Sequence, residues 1–519
     1  MAKRELLFSL VRSLSKSEKR HFSIFCKAYK DNNKYIAIFN NLIKMDVYEK
    51  EVFLKDKSLG IASESQLAIQ KQYIQRQLMR SLRLFHENQS VNMEIQNGLC
   101  EIEILYNKSL GWQCTELIRR MRKLAEDYEK YGLLIQVFEW ERKLKYLFDK
   151  PEREELEITE DEALALRKNY NSIQYERLFS KAMEFKKKHG YVNGKARDDL
   201  YQEVINNRLL RSASSCLSQT AEYYFYFTNT LSNMMIQEEK KAYFYSRKMI
   251  ELNPQIIGGE LFFNGLLQHI TSCVCLGFFG ETLSLLDKTE ELLNSPIINT
   301  QPQLKLRYFY YWSNYSLYAY TYMGDKEGIV KTIDEIKKQV NTVFNPISKE
   351  MLMVLNSNLK NAYFLIGDIK STQQTLVESL SNMDKTIRND TYVDSLLFSL
   401  FFWLETKEYS LLESSINTTD RYFKQVAKNY EDDYFMEISI CKYFKQVKDY
   451  TDDKELRKLY QNVKSTIYSF IEKHKGLNDF YEQVFIFVII ANSKLNKTTY
   501  IEEAKTWYKN HNKTIKFEN

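Results

Sequence analysis

Three residues in one short stretch carry side chains that ligate metals: His269, Cys273 and Cys275. His269 and Cys273 are four apart, which on a helix places the imidazole and the thiol on one face. Cys275 lies two positions further, roughly 200° round the helix from Cys273, and joins them only if the helix unwinds. The neighbours Leu266, Leu267, Ile270, Val274, Leu276 and Phe278 are apolar. The stretch therefore reads as small buried cysteines in an apolar helix. No metal and no cofactor is expected, and chelation is expected to change nothing. A second feature is a run of seven carboxylates within residues 152–162. Paired carboxylates do acid–base chemistry only with a partner constellation, and none accompanies them. Thr159 and Glu162 have capping-box spacing, so the run reads as the start of a helix reaching about Lys188. The chain has no phosphate-cradling Gly-rich loop, no dinucleotide fingerprint, no His-Glu-x-x-His and no Gly-x-Ser-x-Gly elbow. Its six histidines are dispersed. The expectation is a protein that is not an enzyme.

The elements that hold these residues are legible in the composition. Glycine (15) and proline (5) are scarce in 519 residues, where a share of about 12% is usual. Turn-rich β architectures need that punctuation and helices do not, so an all-α chain is expected, more than 65% helical and without a sheet. Seven scattered cysteines do not make a disulfide framework. The apolar runs Val484–Ala491 and Leu396–Leu404 are far shorter than the ~18–20 residues of a membrane span. The apolar stretch between Glu5 and Arg12 is too short for a secretory signal. A cytoplasmic location without a membrane span is the matching expectation.

Helical periodicity is strongest near the N-terminus. In Ser15–Tyr29, Phe22, Phe25, Cys26 and Tyr29 fall on one face, while Lys16, Lys19, Arg20, Ser23 and Lys27 take the other. Ser15 and Glu18 form a capping box. Further amphipathic stretches cover about 33–44, 48–57 and 64–87, so residues 1–90 read as a small helical domain. That domain carries 17 Lys/Arg against 9 Asp/Glu, and the remaining 429 residues carry 57 against 59. The excess positive charge therefore lies in the first sixth of the chain.

From residue 91 to about 510 the chain reads as an array. Breaks recur at Gly111, Asp149, Gly190, Gln237, Gly280, Gly324, Gly367, Lys407, Asp449 and Leu495, near every 43 residues, the length of two helices and two turns. Asn361-Ala-Tyr-Phe-Leu-Ile-Gly-Asp368 and Tyr318-Ala-Tyr-Thr-Tyr-Met-Gly-Asp325 resemble the end of a tetratricopeptide first helix and its turn. Lys241–Pro254 resembles the second helix, with Ala242 at the small crossing position and Pro254 as the closing proline. The repeat is longer than that family's 34 residues, and most of its first-helix Trp, Leu and Gly are absent. Together with Leu14-Ser-Lys-Ser-Glu-Lys-Arg-His-Phe22, the array also looks like a bacterial family without an assigned role. The resemblance implies a right-handed α-α superhelix, tetratricopeptide-like with elongated repeats, preceded by the helical domain.

Aligning Gly324 with the family's turn glycine implies that Tyr311, Asn314, Tyr318 and Tyr322 face a concave groove. The same alignment implies Asn361 and Phe364 in the next repeat and Tyr224 and Phe227 two repeats earlier. Phenol rings suit peptide recognition, offering area and a hydroxyl at small entropic cost. The function expected is a non-catalytic scaffold or adaptor holding a protein or peptide partner in that groove. The alternative is a nucleic-acid-associated regulator, in which Lys16, Lys19, Arg20 and Lys27 contact phosphates and the array senses a second partner. Nucleic acid is the less favoured partner, since no recognition module accompanies the cations.

Overall fold

A computed structural model describes residues 5–28, 33–56, 59–61, 63–87, 90–145, 153–189, 194–294, 302–343, 349–382, 389–430, 434–473 and 479–511. The fold is all-α: 87% of it is helical and the described residues contain no strand. Two compact units divide at 169/170, Met1–Asn169 and Tyr170–Asn519, where the sequence reading divides the chain at residue 90.

The first unit begins with α1 (Leu6–Ser13), α2 (Lys16–Ala28), α3 (Asn33–Lys44), α4 (Lys50–Lys55) and α5 (Glu64–Phe85). These match the amphipathic stretches of the sequence to within a few residues. Leu7, Val11, Phe22, Phe39, Phe53, Leu67 and Leu78 close one core among them. The Ser15 capping box forms: the Glu18 amide donates to Ser15 Oγ at 3.2 Å, and the Ser15 amide donates to Glu18 Oε2 at 2.6 Å. A second core joins α6 (Val91–Asn107), α7 (Gly111–Asp127), α8 (Tyr131–Lys145) and the first half of α9 (Glu155–His189), through Ile95, Ile102, Ile118, Val137 and Ile158. The α9 helix runs one residue past the expected Lys188, but its start corrects the sequence reading. Thr159 is not the cap, because its hydroxyl donates to the carbonyls of Glu155 and Leu156 inside the helix. The acids around it gain cations from α8: Glu162 pairs with Arg142, and Glu155 with Lys145 at 3.4 Å. Those ion pairs let the helix extend one turn further back than the capping-box spacing alone suggests.

The second unit continues through α10 (Gly194–Leu200), a π turn at Tyr201–Ile205 and two 3-10 turns, into seven helix pairs. The first is α11 (Gln219–Met235) with α12 (Glu239–Ile250), followed by the single turn α13 (Pro254–Ile257). Then come α14 (Gly259–Cys275) with α15 (Phe279–Asn294), α16 (Pro302–Met323) with α17 (Lys326–Val343), and α18 (Lys349–Ile366) with α19 (Ile369–Asn382). The last three are α20 (Asn389–Glu405) with α21 (Tyr409–Tyr430), α22 (Phe435–Gln446) with α23 (Asp453–Lys473), and α24 (Asp479–Asn496) with α25 (Tyr500–His511). Each helix packs on its neighbours in sequence.

One turn chemistry is reused between the partners of a pair. Gln237, Gly277, Gly324, Gly367, Lys407 and Lys497 all take left-handed φ, between 58° and 85°. The residue after each donates back to the carbonyl five earlier, as Asp325 does to Tyr320 at 2.9 Å and Asp368 to Tyr363 at 3.0 Å. The break assigned to Gly280 moves to Gly277, since Gly280 lies in the first turn of α15. Asp149 and Gly190 lie outside the described residues. The small residues that the resemblance assigns to helix crossings are buried: Ala242 is 1% exposed and Ala319 and Ala362 are fully buried.

The apolar run Val484–Ala491 is explained by packing. Every residue in it is at most 2% exposed, so α24 is apolar all round because neighbours cover every face. It sits in the largest core with Phe398, Phe401, Phe402, Phe444 and Phe364. No helix among the described residues is long and apolar enough to cross a membrane.

Candidate functional site

The eight aromatic and amide residues assigned to the groove fall into three places. Tyr224 and Phe227 on α11 pack on Phe179 of α9, with centroids 5.5 and 4.8 Å away. Tyr311 on α16 touches Tyr315, whose hydroxyl meets Thr271 of α14 at 2.9 Å. Asn314, Tyr318, Tyr322, Asn361 and Phe364 gather where α16 meets α18. Asn314 Oδ1 accepts from Asn358 Nδ2 at 2.8 Å, tying the two helices by one amide pair.

Exposure sorts these residues further. Tyr224, Tyr311, Tyr318 and Asn361 keep part of their surface in solvent, whereas Phe227, Asn314, Tyr322 and Phe364 are buried. The cover over Tyr322 and Phe364 comes from the chain itself. Phe485 of α24 stacks on Tyr322 at 3.9 Å, and Tyr500 of α25 stacks on Phe364 at 4.7 Å. Tyr508 of α25 reaches Phe279 at 5.7 Å. Glu405 at the end of α20 pins this last pair: it accepts from Tyr500 at 2.7 Å, from Tyr460 at 3.1 Å and from Lys494 at 2.5 Å. Burial, with the Glu405 charge next, raises the pKa of both phenols, so they remain donors. The final helix pair thus occupies the surface that the tetratricopeptide alignment assigns to a ligand.

A larger opening lies on the other side of α16. A cleft of about 1200 Å³ runs between α15 and α17 with α16 as its floor. Tyr308, Phe309, Trp312 and Tyr320 supply aromatic surface, and Leu286 and Leu293 add aliphatic surface from α15. The rim carries both charges, including Asp287, Glu290, Asp334 and Glu335 against Lys331 and Lys338. Sequence reasoning missed this cleft, although its signal was there. Tyr308, Trp312, Ser316 and Tyr320 recur every four residues on a neighbouring face of α16, roughly 120° round from the mean direction of Tyr311, Tyr318 and Tyr322.

The basic face of α2 stays at the surface. Lys16, Arg20 and Lys27 are exposed and Lys19 is half-buried. None of the four has a carboxylate within 4 Å among the described residues. On the same helix, burial tends to raise the Glu18 pKa, but hydrogen bonds from Ser15 and His86 outweigh it and hold the carboxyl below its ordinary value.

Cys275 does not join His269 and Cys273, as its angular position requires, yet a third group does. Glu281, in the first turn of α15, reaches His269 Nε2 at 3.4 Å, and Cys273 Sγ lies 3.8 Å from the same nitrogen. Ser246 of α12 holds the other ring nitrogen, Nδ1, at 2.8 Å. Desolvation dominates the cluster's protonation, lowering the His269 pKa and raising that of Cys273, so neutral imidazole and thiol are the resting forms. Cysteine, histidine and carboxylate recur together in hydrolases, but Ser246, His269 and Cys273 are each fully buried, out of reach of a substrate. No protein-family model, curated protein or solved structure matches the chain.

Proposed function

We propose that this chain is a non-catalytic scaffold, a tetratricopeptide-like superhelix of elongated helix pairs that binds an amphipathic helical segment of a partner protein. The carrying observation is the cleft of about 1200 Å³ between α15 and α17. Its aromatic floor offers apolar area to one face of a helix, and its mixed rim offers partners to the charges that flank such a face. Phe485 and Tyr500 already cover part of the concave-side residues. Tyr224, Tyr311, Tyr318 and Asn361 stay partly accessible, spread over the three separate places described above.

The test places a photo-crosslinking side chain at Val330, which is 40% exposed on the rim and lines the cleft. Partners captured from the native cell are then mapped by mass spectrometry. The expected crosslinks fall at i, i+3, i+4 and i+7 of one segment, survive high salt, and are lost when Trp312→Ala or Tyr320→Ala is added to the crosslinker-bearing chain. Capture that is unchanged by both substitutions overturns the reading.

The cations Lys16, Lys19, Arg20 and Lys27, with no carboxylate within 4 Å among the described residues, favour the second reading, contact with nucleic-acid phosphates by α2. It requires binding that falls steeply with ionic strength, which the cleft reading does not.

A further inference from the structure

We infer that His269 Nε2, Cys273 Sγ and a Glu281 carboxylate oxygen form a mononuclear zinc(II) site. The three ligand atoms all lie within 4.8 Å of one another. Two of the separations can be set against the edges of a metal polyhedron. Nε2 is 3.4 Å from Glu281 Oε1 and 3.8 Å from Cys273 Sγ. The first is long for an N–H···O bond. Tetrahedral zinc with ordinary bond lengths requires edges of about 3.3 Å for N···O and about 3.6 Å for N···S. The observed N···O and N···S spacings are within about 0.2 Å of those edges, and the remaining S···O separation, at most 4.8 Å, closes toward about 3.5 Å as the ion binds.

The fold supplies what a metal ligand needs around it. His269 and Cys273 project from one face of α14, and the left-handed turn at Gly277 brings α15 back so that Glu281 closes the third corner. Ser246 Oγ donates to the Tyr243 carbonyl at 3.0 Å, which leaves its lone pairs to accept from an Nδ1–H of His269. That tautomer turns the Nε2 lone pair toward the thiol and the carboxylate. The Tyr243 hydroxyl donates to Glu281 at 3.0 Å and orients it. The imidazole and thiol are buried, while the Glu281 side chain is 39% exposed, so one of the three ligands stands at the surface.

Charge balance agrees with zinc. Binding replaces the Cys273 S–H bond by a sulfur–zinc bond and releases that proton to solvent. Zinc(II) with one thiolate, one carboxylate and a neutral imidazole is then uncharged, the condition a buried site tolerates best. The mixed soft and borderline donor set suits zinc over magnesium or calcium, and the fourth position remains for water or a ligand atom.

The test strips the full-length protein with a chelator and titrates it with cobalt(II) as the spectroscopic probe, then with zinc(II). One equivalent is expected to produce tetrahedral visible bands and a thiolate-to-cobalt charge-transfer band, both displaced by zinc. Cys273→Ala is expected to abolish the charge-transfer band, and Glu281→Gln to weaken binding at least tenfold. Ser246→Ala is expected to weaken it by about 10–100-fold, and Cys275→Ser to leave it unchanged. Glu281→Gln alters a partly exposed side chain and so tests the site even where Cys273→Ala disturbs the buried face. A wild-type protein with no charge-transfer band, or a band that survives Cys273→Ala or follows Cys275, overturns the assignment.

Discussion

Replacing Gly324 by alanine separates two costs that a turn glycine can hide. Gly324 follows α16 with φ 66°, and Gly367 follows α18 with φ 85°. An alanine in left-handed geometry costs roughly 1–2 kcal/mol, and both substitutions incur it. Their surroundings differ. A Cβ at Gly367 meets nothing within 4 Å, whereas one at Gly324 falls 2.7 Å from the Ile501 carbonyl oxygen and 2.8 Å from the Lys505 amide nitrogen. Both are backbone atoms of α25, which cannot swing aside as a side chain does. Moving that helix adds an overpacking cost of about 1–3 kcal/mol. Gly367→Ala should therefore lose about 1–2 kcal/mol, and Gly324→Ala about 2–5 kcal/mol in total. Urea unfolding of both variants measures the difference, and limited proteolysis with mapped cleavage sites reports whether α24 and α25 loosen. Greater cleavage in α24–α25 is expected for Gly324→Ala alone. Equal losses with identical cleavage patterns would refute the close seating of α25 against the end of α16.

Ala319→Leu and Ala362→Leu overfill fully buried crossings and should each cost about 1–3 kcal/mol in urea unfolding; a neutral effect at both would contradict the tight helix approach. Burial pushes the carboxyl of Glu437 up to about 7 from an ordinary 4.5. Its contribution to stability is thus fully present below pH 4.5 and lost as the pH rises through about 7. Glu437→Gln should stabilise the protein by on the order of 3 kcal/mol at pH 8 and leave it unchanged at pH 4, and an equal effect at both would exclude titration of this group. Changing Lys16, Lys19, Arg20 and Lys27 together to Gln should leave stability nearly unchanged, since three are exposed, Lys19 is half-buried, and charges at the surface contribute little. A gel shift at physiological salt is expected to show no nucleic-acid binding by the unaltered protein. Sub-micromolar binding abolished by the quadruple change would move the function to the second reading.

Local chemistry made the helices and their turns readable. The apolar period of 3.6 placed α2, α3 and α5, because amphipathicity is a property of a single segment. The left-handed turns at Gly324 and Gly367, and the small residues Ala242, Ala319 and Ala362, were visible for the same reason: turn geometry and close helix approach constrain the residue in place. Other features depend on segments that no local pattern relates. Lys360 reads as a surface charge on α18, yet it is fully buried, 2.5 Å from Asp394 of α20 and over the ring of Phe398. Glu281 is an ordinary helix-start acid until the Gly277 turn sets it against His269 and Cys273. Tyr322 and Phe364 had the right helical face for a groove, and the fold covered that face with α24 and α25, about 120 to 180 residues further along. Sequence alone determined the class of the elements and where they turn, since both follow from interactions within a few residues. Which faces stay open was decided by tertiary packing, because burying the apolar surface of the last helix pair stabilises the fold more than leaving the tyrosines exposed.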